Sequence, residues 1–215
     1  MTQHKVTVID YGINNILSVI RALEYLGAQV EVTSDWKTII KSERLILPGI
    51  GAFPRAMEAL ENLNLVSSIQ DFAGRNKPLL ALCLGMQLLL DESTEFKPTK
   101  GLGLIKGKVN ALPEQSIVGS RLKVPNIGWR ALSKPKENKD WRSSILRSIE
   151  IGDSVYFVHS FMVQPLEKKS VLANIEYGGH LIPAVIEFGN IVGCQFHPEK
   201  SGKTGLNIIK NFVFQ

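Results

Sequence analysis

Residues 78–87, Pro-Leu-Leu-Ala-Leu-Cys-Leu-Gly-Met-Gln, decide the fold of this 215-residue chain. Residues 78–82 form an apolar run with the length of a buried strand, and residues 84–91 continue in a helical pattern. Cys83 stands at the junction, with the small residues Ala81 and Gly85 two places to either side. This spacing predicts a nucleophile elbow, a sharp strand-to-helix turn that lifts one side chain above a parallel sheet.

The residues before this segment alternate between strand and helix patterns. We predict strands at residues 6–9, 29–33 and 45–47, the last followed by the tight loop Pro48-Gly49-Ile50-Gly51. A first helix is predicted to begin after a cap at Asn14 or Asn15 and to end at a left-handed residue, Gly27. Two further helices are predicted at residues 54–61 and 65–73. Such alternation is typical of βαβ units and therefore predicts a mainly parallel sheet.

The second half of the chain has a different pattern, with short strand-like runs separated by turns. Strands are predicted near Val124 and at residues 156–158, 171–177, 183–188 and 191–196, and a last helix at residues 205–214. We expect one α/β domain over residues 1–215. Its open, mainly parallel central sheet would be flanked by helices and extended by antiparallel strands.

The composition excludes several classes of protein. Hydrophobic residues at 44% and charged residues at 21% are typical of a folded globular chain rather than a disordered or collagen-like one. No apolar run reaches the length of a membrane helix and the first residues lack a signal-peptide core, so we expect a cytoplasmic protein without a membrane span. The net charge of +5 is dispersed, and no nucleic-acid-binding motif accompanies it.

Cofactor motifs are also lacking. The two cysteines and four histidines have no metal-ligand spacing, so no metal site is expected. Residues 202–204 and 101–103 resemble parts of phosphate-binding loops but lack the further glycines that such loops need. We therefore predict that the protein uses no cofactor.

The elbow cysteine has two interpretations. As a nucleophile, Cys83 would be favoured as a thiolate by the start of the helix, and the N–H of Leu84 would point at a developing oxyanion. Alternatively, it is a packed core thiol, because free cysteine is among the most often buried residue types.

Residues 192–199 supply a base for this cysteine. The strand ends in His197-Pro198-Glu199, and side chains at positions i and i+2 of an extended chain share a face. Glu199 can therefore hold one imidazole nitrogen and leave the other for a thiol. A surface ion pair at a strand end is the alternative, but the two segments together favour a Cys-His-Glu arrangement.

These motifs resemble a known family. Cys83-Leu-Gly-Met-Gln87 with His197-Pro-Glu199 is similar to the class I (triad) glutamine amidotransferases. Residues 48–51, 156–160 and 192–202 narrow the resemblance to the glutaminase subunits of imidazole glycerol phosphate synthases. The resemblance implies a flavodoxin-like open sheet with the cysteine at the end of a central strand.

The resemblance also implies roles for individual residues. Cys83 would attack the side-chain amide of glutamine and form a thioester, His197 would transfer the proton, and Glu199 would orient His197. An N–H of the loop at residues 48–51, assigned to Gly51, would complete the oxyanion hole with Leu84. The substrate would be held by Gly49, Gln87, Glu95 and the backbone of His159, Ser160 and Phe161. A free surface glutamate is the alternative for Glu95.

No residues remain for a synthase domain, so the ammonia acceptor is expected on another chain. The resemblance implies a (βα)8-barrel cyclase that forms a heterodimer with this subunit in histidine biosynthesis, with low glutaminase activity until it binds. Residues 123–129 match a family stretch near that interface, which makes Pro125 and Trp129 candidate contacts. A half-buried core tryptophan is the alternative for Trp129.

The chain departs from the family pattern at several positions. Ala81 and Phe161 replace a usual glycine and tyrosine, whereas Thr94, Asn126 and Arg130 replace a usual glutamate, histidine and asparagine. The last three differences affect the expected partner and the expected details of substrate binding more than the expected catalytic mechanism. Alternatives are a paralogue that supplies ammonia to a sugar-modifying amidotransferase, a non-catalytic scaffold, and a stand-alone cysteine hydrolase.

Overall fold

Thirteen strands and six α-helices are present in the computed structural model, which describes residues 4–13, 15–136 and 140–214. The strands are β1 (Lys5–Ile9), β2 (Gln29–Thr33), β3 (Leu45–Leu47), β4 (Leu79–Leu82), β5 (Glu92–Ser93), β6 (Thr99–Lys100), β7 (Gly107–Ala111), β8 (Asn126–Ala131), β9 (Ser154–His159), β10 (Phe161–Pro165), β11 (Val171–Tyr177), β12 (His180–Phe188) and β13 (Ile191–Cys194). The helices are α1 (Ile16–Tyr25), α2 (Trp36–Lys41), α3 (Phe53–Asn62), α4 (Val66–Gly74), α5 (Leu84–Leu88) and α6 (Gly202–Val213).

A seven-stranded sheet of order β11-β12-β13-β4-β3-β1-β2 forms the centre of the fold. The five strands from β13 to β2 are parallel, and β12 and β11 add antiparallel neighbours at one edge. All four residues of β4 are buried, as expected for a central parallel strand that is covered on both faces. The prediction of a mainly parallel sheet with an antiparallel extension is confirmed.

The two faces of this sheet are covered by different helices. Side chains of β4 alternate between them, because successive residues of a strand point to opposite faces. Leu80 and Leu82 pack in one apolar cluster with residues of α1 and α6, whereas Leu79 and Ala81 pack in another with residues of α3, α4 and α5. The nucleophile elbow follows directly from this central, doubly covered strand.

Two smaller sheets lie beside the central one. One has the order β10-β7-β5-β6, and the other pairs β8 with β9. The strand predicted at residues 156–158 belongs to β9, and therefore to the two-stranded sheet rather than to the extension of the central sheet. Val124 lies in a bend before β8. Residues in or next to β8, β9 and β10 line the candidate site described below.

Local signals account for several of the helix boundaries. Gly27 has φ +81° after α1, which confirms the predicted left-handed stop. Asn15 occupies the cap position of α1 without a side-chain hydrogen bond, and Asn14 lies outside the described residues. The helix predicted at residues 84–91 ends at Leu88. No helix in the described ranges is both long and apolar enough to cross a lipid bilayer.

Candidate active site

Cys83 occupies a strained turn between β4 and α5. Its φ of +52° and ψ of −110° lie in a region that residues with a Cβ rarely adopt. The turn is held by hydrogen bonds from its N–H to the Cys194 carbonyl (2.7 Å) and from the Met86 N–H to its own carbonyl (3.0 Å). The predicted sharp strand-to-helix turn at Cys83 is confirmed, and its role as a nucleophile stays a prediction. Such strain is typical of functional sites.

Gly85 allows α5 to approach the neighbouring strand β3. A Cβ at this position would lie 2.1 Å from the carbonyl oxygen of Leu47. The predicted need for a small residue after the cysteine therefore has a direct cause, a contact between two backbones.

His197 comes close to Cys83 because β13 and β4 are adjacent parallel strands. The register pairs Cys194 with Leu82, so the residues that follow both strands emerge at the same edge of the sheet. His197 Nδ1 lies 2.8 Å from Glu199 Oε1, and the Glu199 side chain is 3% exposed. Since a carboxylate only accepts hydrogen bonds, Nδ1 carries the proton and Nε2 is left for the thiol.

The electrostatics of this group favour a protonated imidazole. Burial alone would lower the pKa of His197, but hydrogen bonds to Cys83 and Glu199 and the negative charge of these two groups raise the pKa to about 10. A side chain in this position can take a proton from a thiol and give it to a leaving group.

A cleft of about 290 Å³ opens above Cys83. It brings together most of the residues that the sequence predicted, and also Ile50 and Val158, for which the sequence predicted no role. The lining residues are Ile50, Gly51, Cys83, Leu84, Gln87, Glu95, Pro125, Val158, His159, Ser160, Phe161 and His197. This volume suits a small molecule rather than a polymer.

Glu95 is fixed in the wall of the cleft rather than free on the surface. Its Oε2 accepts a hydrogen bond of 2.7 Å from the backbone N–H of Phe53, at the start of α3. The carboxylate is thus held at one side of the cleft, where it can attract a cationic group of a ligand.

His159, which also lines the cleft, is held as a neutral imidazole. Its Nδ1 lies 2.8 Å from the Phe161 carbonyl, which only accepts, so Nδ1 carries the proton. Nε2 then accepts from Asn126 Nδ2 at 3.0 Å, and Asn126 Oδ1 accepts from Arg130 at 3.1 Å. Burial lowers the pKa of His159 to about 4. Asn126 and Arg130, which depart from the family pattern, thus form a hydrogen-bonded chain behind this side chain.

The loop at residues 48–51 is packed against the elbow. Tyr11 donates a hydrogen bond of 2.8 Å to the Pro48 carbonyl, and burial raises the pKa of its phenol above the usual range. A Cβ on Gly49 would lie 2.8 Å from both the Tyr11 hydroxyl and the N–H of Gly85, so only glycine fits. Gly49 lines a separate small cavity behind the cleft, whereas Gly51, with φ +86°, lines the cleft itself.

The outer strand β8 carries Trp129. This side chain is 53% exposed and makes an edge-to-face contact with Tyr156, with ring centroids 6.0 Å apart. About half of the side chain is therefore buried, as the alternative interpretation expected, but Trp129 is not one of the core residues. Pro125 lies just before β8 and lines the cleft.

Among residues 4–13, 15–136 and 140–214, no three or more histidine, cysteine, aspartate or glutamate side chains are grouped so as to hold a metal ion. The side chains that line the cleft include the thiol of Cys83, two imidazoles, the Glu95 carboxylate and the Gln87 amide.

Comparisons with known proteins agree with this geometry. Residues 7–215 match the model of the family described as glutamine amidotransferase class-I. Imidazole glycerol phosphate synthase subunit HisH 1 of Legionella pneumophila (strain Lens) is 48% identical over 208 residues, with 97% of this chain and 98% of that protein covered. Subunit HisH of Caldanaerobacter subterraneus subsp. tengcongensis is 46% identical over 205 residues, with 95% of each chain covered.

Solved structures share the fold at lower sequence identity. A crystal structure of a glutamine amidotransferase superposes with a TM-score of 0.70 at 16% identity, covering 96% of both chains. The structure of PurLQS from Thermotoga maritima gives a TM-score of 0.69 at 19% identity, covering 99% of this chain and 98% of that one.

Proposed function

The chain belongs to the class I glutamine amidotransferase family, and from that premise we propose that it is the glutaminase subunit of an imidazole glycerol phosphate synthase. It hydrolyses L-glutamine to L-glutamate and ammonia in the cytoplasm. A (βα)8-barrel cyclase subunit receives the ammonia and makes imidazole glycerol phosphate and an aminoimidazole carboxamide ribonucleotide in histidine biosynthesis. The observation that carries the proposal is the strained Cys83 above β4 with the His197–Glu199 pair beside it.

The first half of the reaction forms a thioester. His197 holds the proton of the Cys83 thiol, and the sulfur attacks the side-chain amide carbon of glutamine. The amide oxygen becomes an oxyanion that accepts hydrogen bonds from the N–H groups of Leu84 and Gly51. His197 then gives its proton to the amide nitrogen, and the C–N bond breaks. Ammonia departs, and a glutamyl thioester remains on Cys83.

The second half regenerates the enzyme. His197 takes a proton from water, and the resulting hydroxide attacks the thioester carbon. When the C–S bond breaks, the proton returns to the sulfur and glutamate leaves. Glu199 keeps Nδ1 protonated and stabilises the imidazolium in both halves.

The cleft is suited to glutamine as the ligand. Glu95 supplies a negative charge for the α-ammonium group, and residues 159–161 also line the cleft. Gln87 lines it too, and its side-chain nitrogen donates to the Phe161 carbonyl at 3.2 Å. Leu84 directly follows Cys83 and Gly51 lines the same cleft, so their N–H groups are the candidates to hold the oxygen of the reacting amide.

An apolar face beside the cleft suits the partner. Ile127 and Trp129 share one face of β8, and Val158 of β9 is the register partner of Ile127. All three are exposed, and Val158 also lines the cleft. A cyclase docked on this face would cover the mouth of the cleft and receive ammonia before solvent could protonate it.

Glutamate release from glutamine tests the proposal. The purified chain is assayed alone and with the cyclase subunit plus its nucleotide ligand, and Cys83→Ala is the control. We expect slow turnover alone, a rise in the complex, and no activity in the variant. Cys83-dependent activity that does not change when the cyclase is added would reject this partner and favour a sugar-modifying amidotransferase as the ammonia acceptor. Absence of Cys83-dependent activity in every mixture would reject the proposed glutaminase function.

A further inference from the structure

Gln195 is completely buried beneath the cleft and contacts the nucleophile. It follows β13 directly, with its N–H bonded to the Ala184 carbonyl at 2.9 Å, and its exposed fraction is 0%. Its side-chain nitrogen Nε2 lies 3.8 Å from Cys83 Sγ, and its oxygen Oε1 lies 3.0 Å from Gln87 Nε2. Both ends of this buried amide are therefore engaged within the site, as buried polar groups require.

The hydrogen-bond pattern fixes the orientation of this amide. The Phe161 carbonyl oxygen only accepts, so the atom of Gln87 that faces it at 3.2 Å is the donor nitrogen. That same nitrogen also faces Gln195, so the Gln195 atom opposite it is the acceptor oxygen. The remaining atom of Gln195, the one toward Cys83, is then the NH2 group, which has no lone pair to offer and can only donate.

The sulfur of Cys83 is therefore an acceptor in this contact. A donor stabilises an anionic sulfur more than a neutral one, and hydrogen bonds to charged groups are about twice as strong as those between neutral groups. Because the Gln195 amide is neutral, it can stabilise the anion without taking part in the proton transfer between Cys83 and His197.

We propose that Gln195 is a catalytic residue that donates a hydrogen bond to the Cys83 thiolate and, through Gln87, ties the position of the sulfur to the carbonyl of Phe161, a residue that lines the cleft. The inference rests on the proposed function only in that Cys83 is the nucleophile. Phe161, Gln87, Gln195 and Cys83 form a continuous chain of contacts from the wall of the cleft to the reacting atom.

Alkylation of the protein tests the role of Gln195 without requiring glutamine turnover. Iodoacetamide modification is followed by mass spectrometry from pH 5 to pH 10, with Cys83→Ala establishing that the signal comes from Cys83 and not from buried Cys194. In Gln195→Met, which keeps the length but not the donor, we expect the pH midpoint of the rate to rise. The rate at pH 7 should fall about tenfold, the effect of losing one hydrogen bond to a charged group.

A matched substitution separates this effect from a general one. Gln164→Met replaces an exposed glutamine that bonds Asn110 at 2.7 Å and should leave the profile unchanged. An unshifted midpoint in folded Gln195→Met would overturn the proposal.

A second measurement decides the question even if Gln195→Met does not fold. In the unaltered protein, the side-chain NH2 resonances of Gln195 should shift with pH, with the same midpoint as alkylation, and should stop shifting in Cys83→Ala. Resonances that do not follow the cysteine would overturn the inference. Since both readouts work without glutamine, a failure of the glutaminase assay would leave their outcome interpretable on its own.

Discussion

Gly85→Ala gives the most direct test of how the elbow is built. In the structure, the added methyl carbon would lie 2.1 Å from the Leu47 carbonyl oxygen, and real contacts of this kind are not shorter than 3.0 Å. The start of α5 and the end of β3 must therefore separate by about 0.9 Å, the difference between these two distances. Because both sides of the contact are backbone, no side-chain rotation can relieve it.

The displacement has two measurable costs. Overpacking of this kind destabilises by about 3 kcal/mol at the upper end of its usual range, which corresponds to a fall in melting temperature of about 6 to 12 °C for a chain of this size. The displaced turn also carries Cys83, and a misplacement of about 1 Å costs about 100-fold in rate.

The two quantities are measured by thermal unfolding and by glutamate release in the presence of the proposed cyclase partner. Gly74→Ala is the matched control, because a Cβ at the end of α4 meets no atom within 4 Å and Gly74 has no positive φ. The control should be unchanged or more stable by up to about 1 kcal/mol. A folded Gly85→Ala protein with the stability and rate of the control would refute this account of the elbow.

Three further predictions concern charge and surface. Because the pKa of His197 is raised, its contribution to the free energy of unfolding is complete below about pH 6.5 and is lost as the pH rises toward about 10. Urea unfolding at a series of pH values should show this loss. The same dependence of stability on pH in His197→Asn would contradict it. Nitrogen NMR should find His159 neutral and protonated at Nδ1 from pH 5 to pH 8, since its pKa is lowered to about 4, and a titration near pH 6.5 would show that burial does not control it. Trp129→Ala should keep the melting temperature, since the side chain is 53% exposed, and weaken cyclase binding at least about tenfold by calorimetry; unchanged affinity would move the interface elsewhere.

The fold was predictable where a local pattern is decided by burial. The run at residues 79–82 is apolar on both faces because β4 lies at the centre of the sheet, and that pattern is visible in the sequence. The same holds for His197 and Glu199, whose spacing on an extended segment already places them together. The position of Cys83 between a strand and a helix predicted that its backbone makes a sharp turn. The small residue Gly85 indicated that two backbone segments approach each other next to this turn.

The small sheets and the inner network could not be predicted in this way. β5 and β6 have two residues each, too few for any periodicity to appear. The residues of β9 have a strand pattern in the sequence. Tertiary contacts determine that β9 pairs with β8, so the sequence did not show that β9 belongs to a separate sheet. Gln195 is polar in a buried segment, and only the contacts with Gln87 and Cys83 show what it does.

The arrangement of the central sheet also has a consequence for biosynthesis on the ribosome. Strands β1 to β4 can pair as soon as the first 82 residues have emerged, but the other edge of β4 has no neighbour until β13, at residues 191–194, is synthesised. Until then, an apolar strand edge next to the future nucleophile stays open to other nascent chains. Insertion of β13 closes that edge and brings His197 to Cys83 in the same event, so a prematurely terminated product would carry the Cys83 thiol without its proposed base.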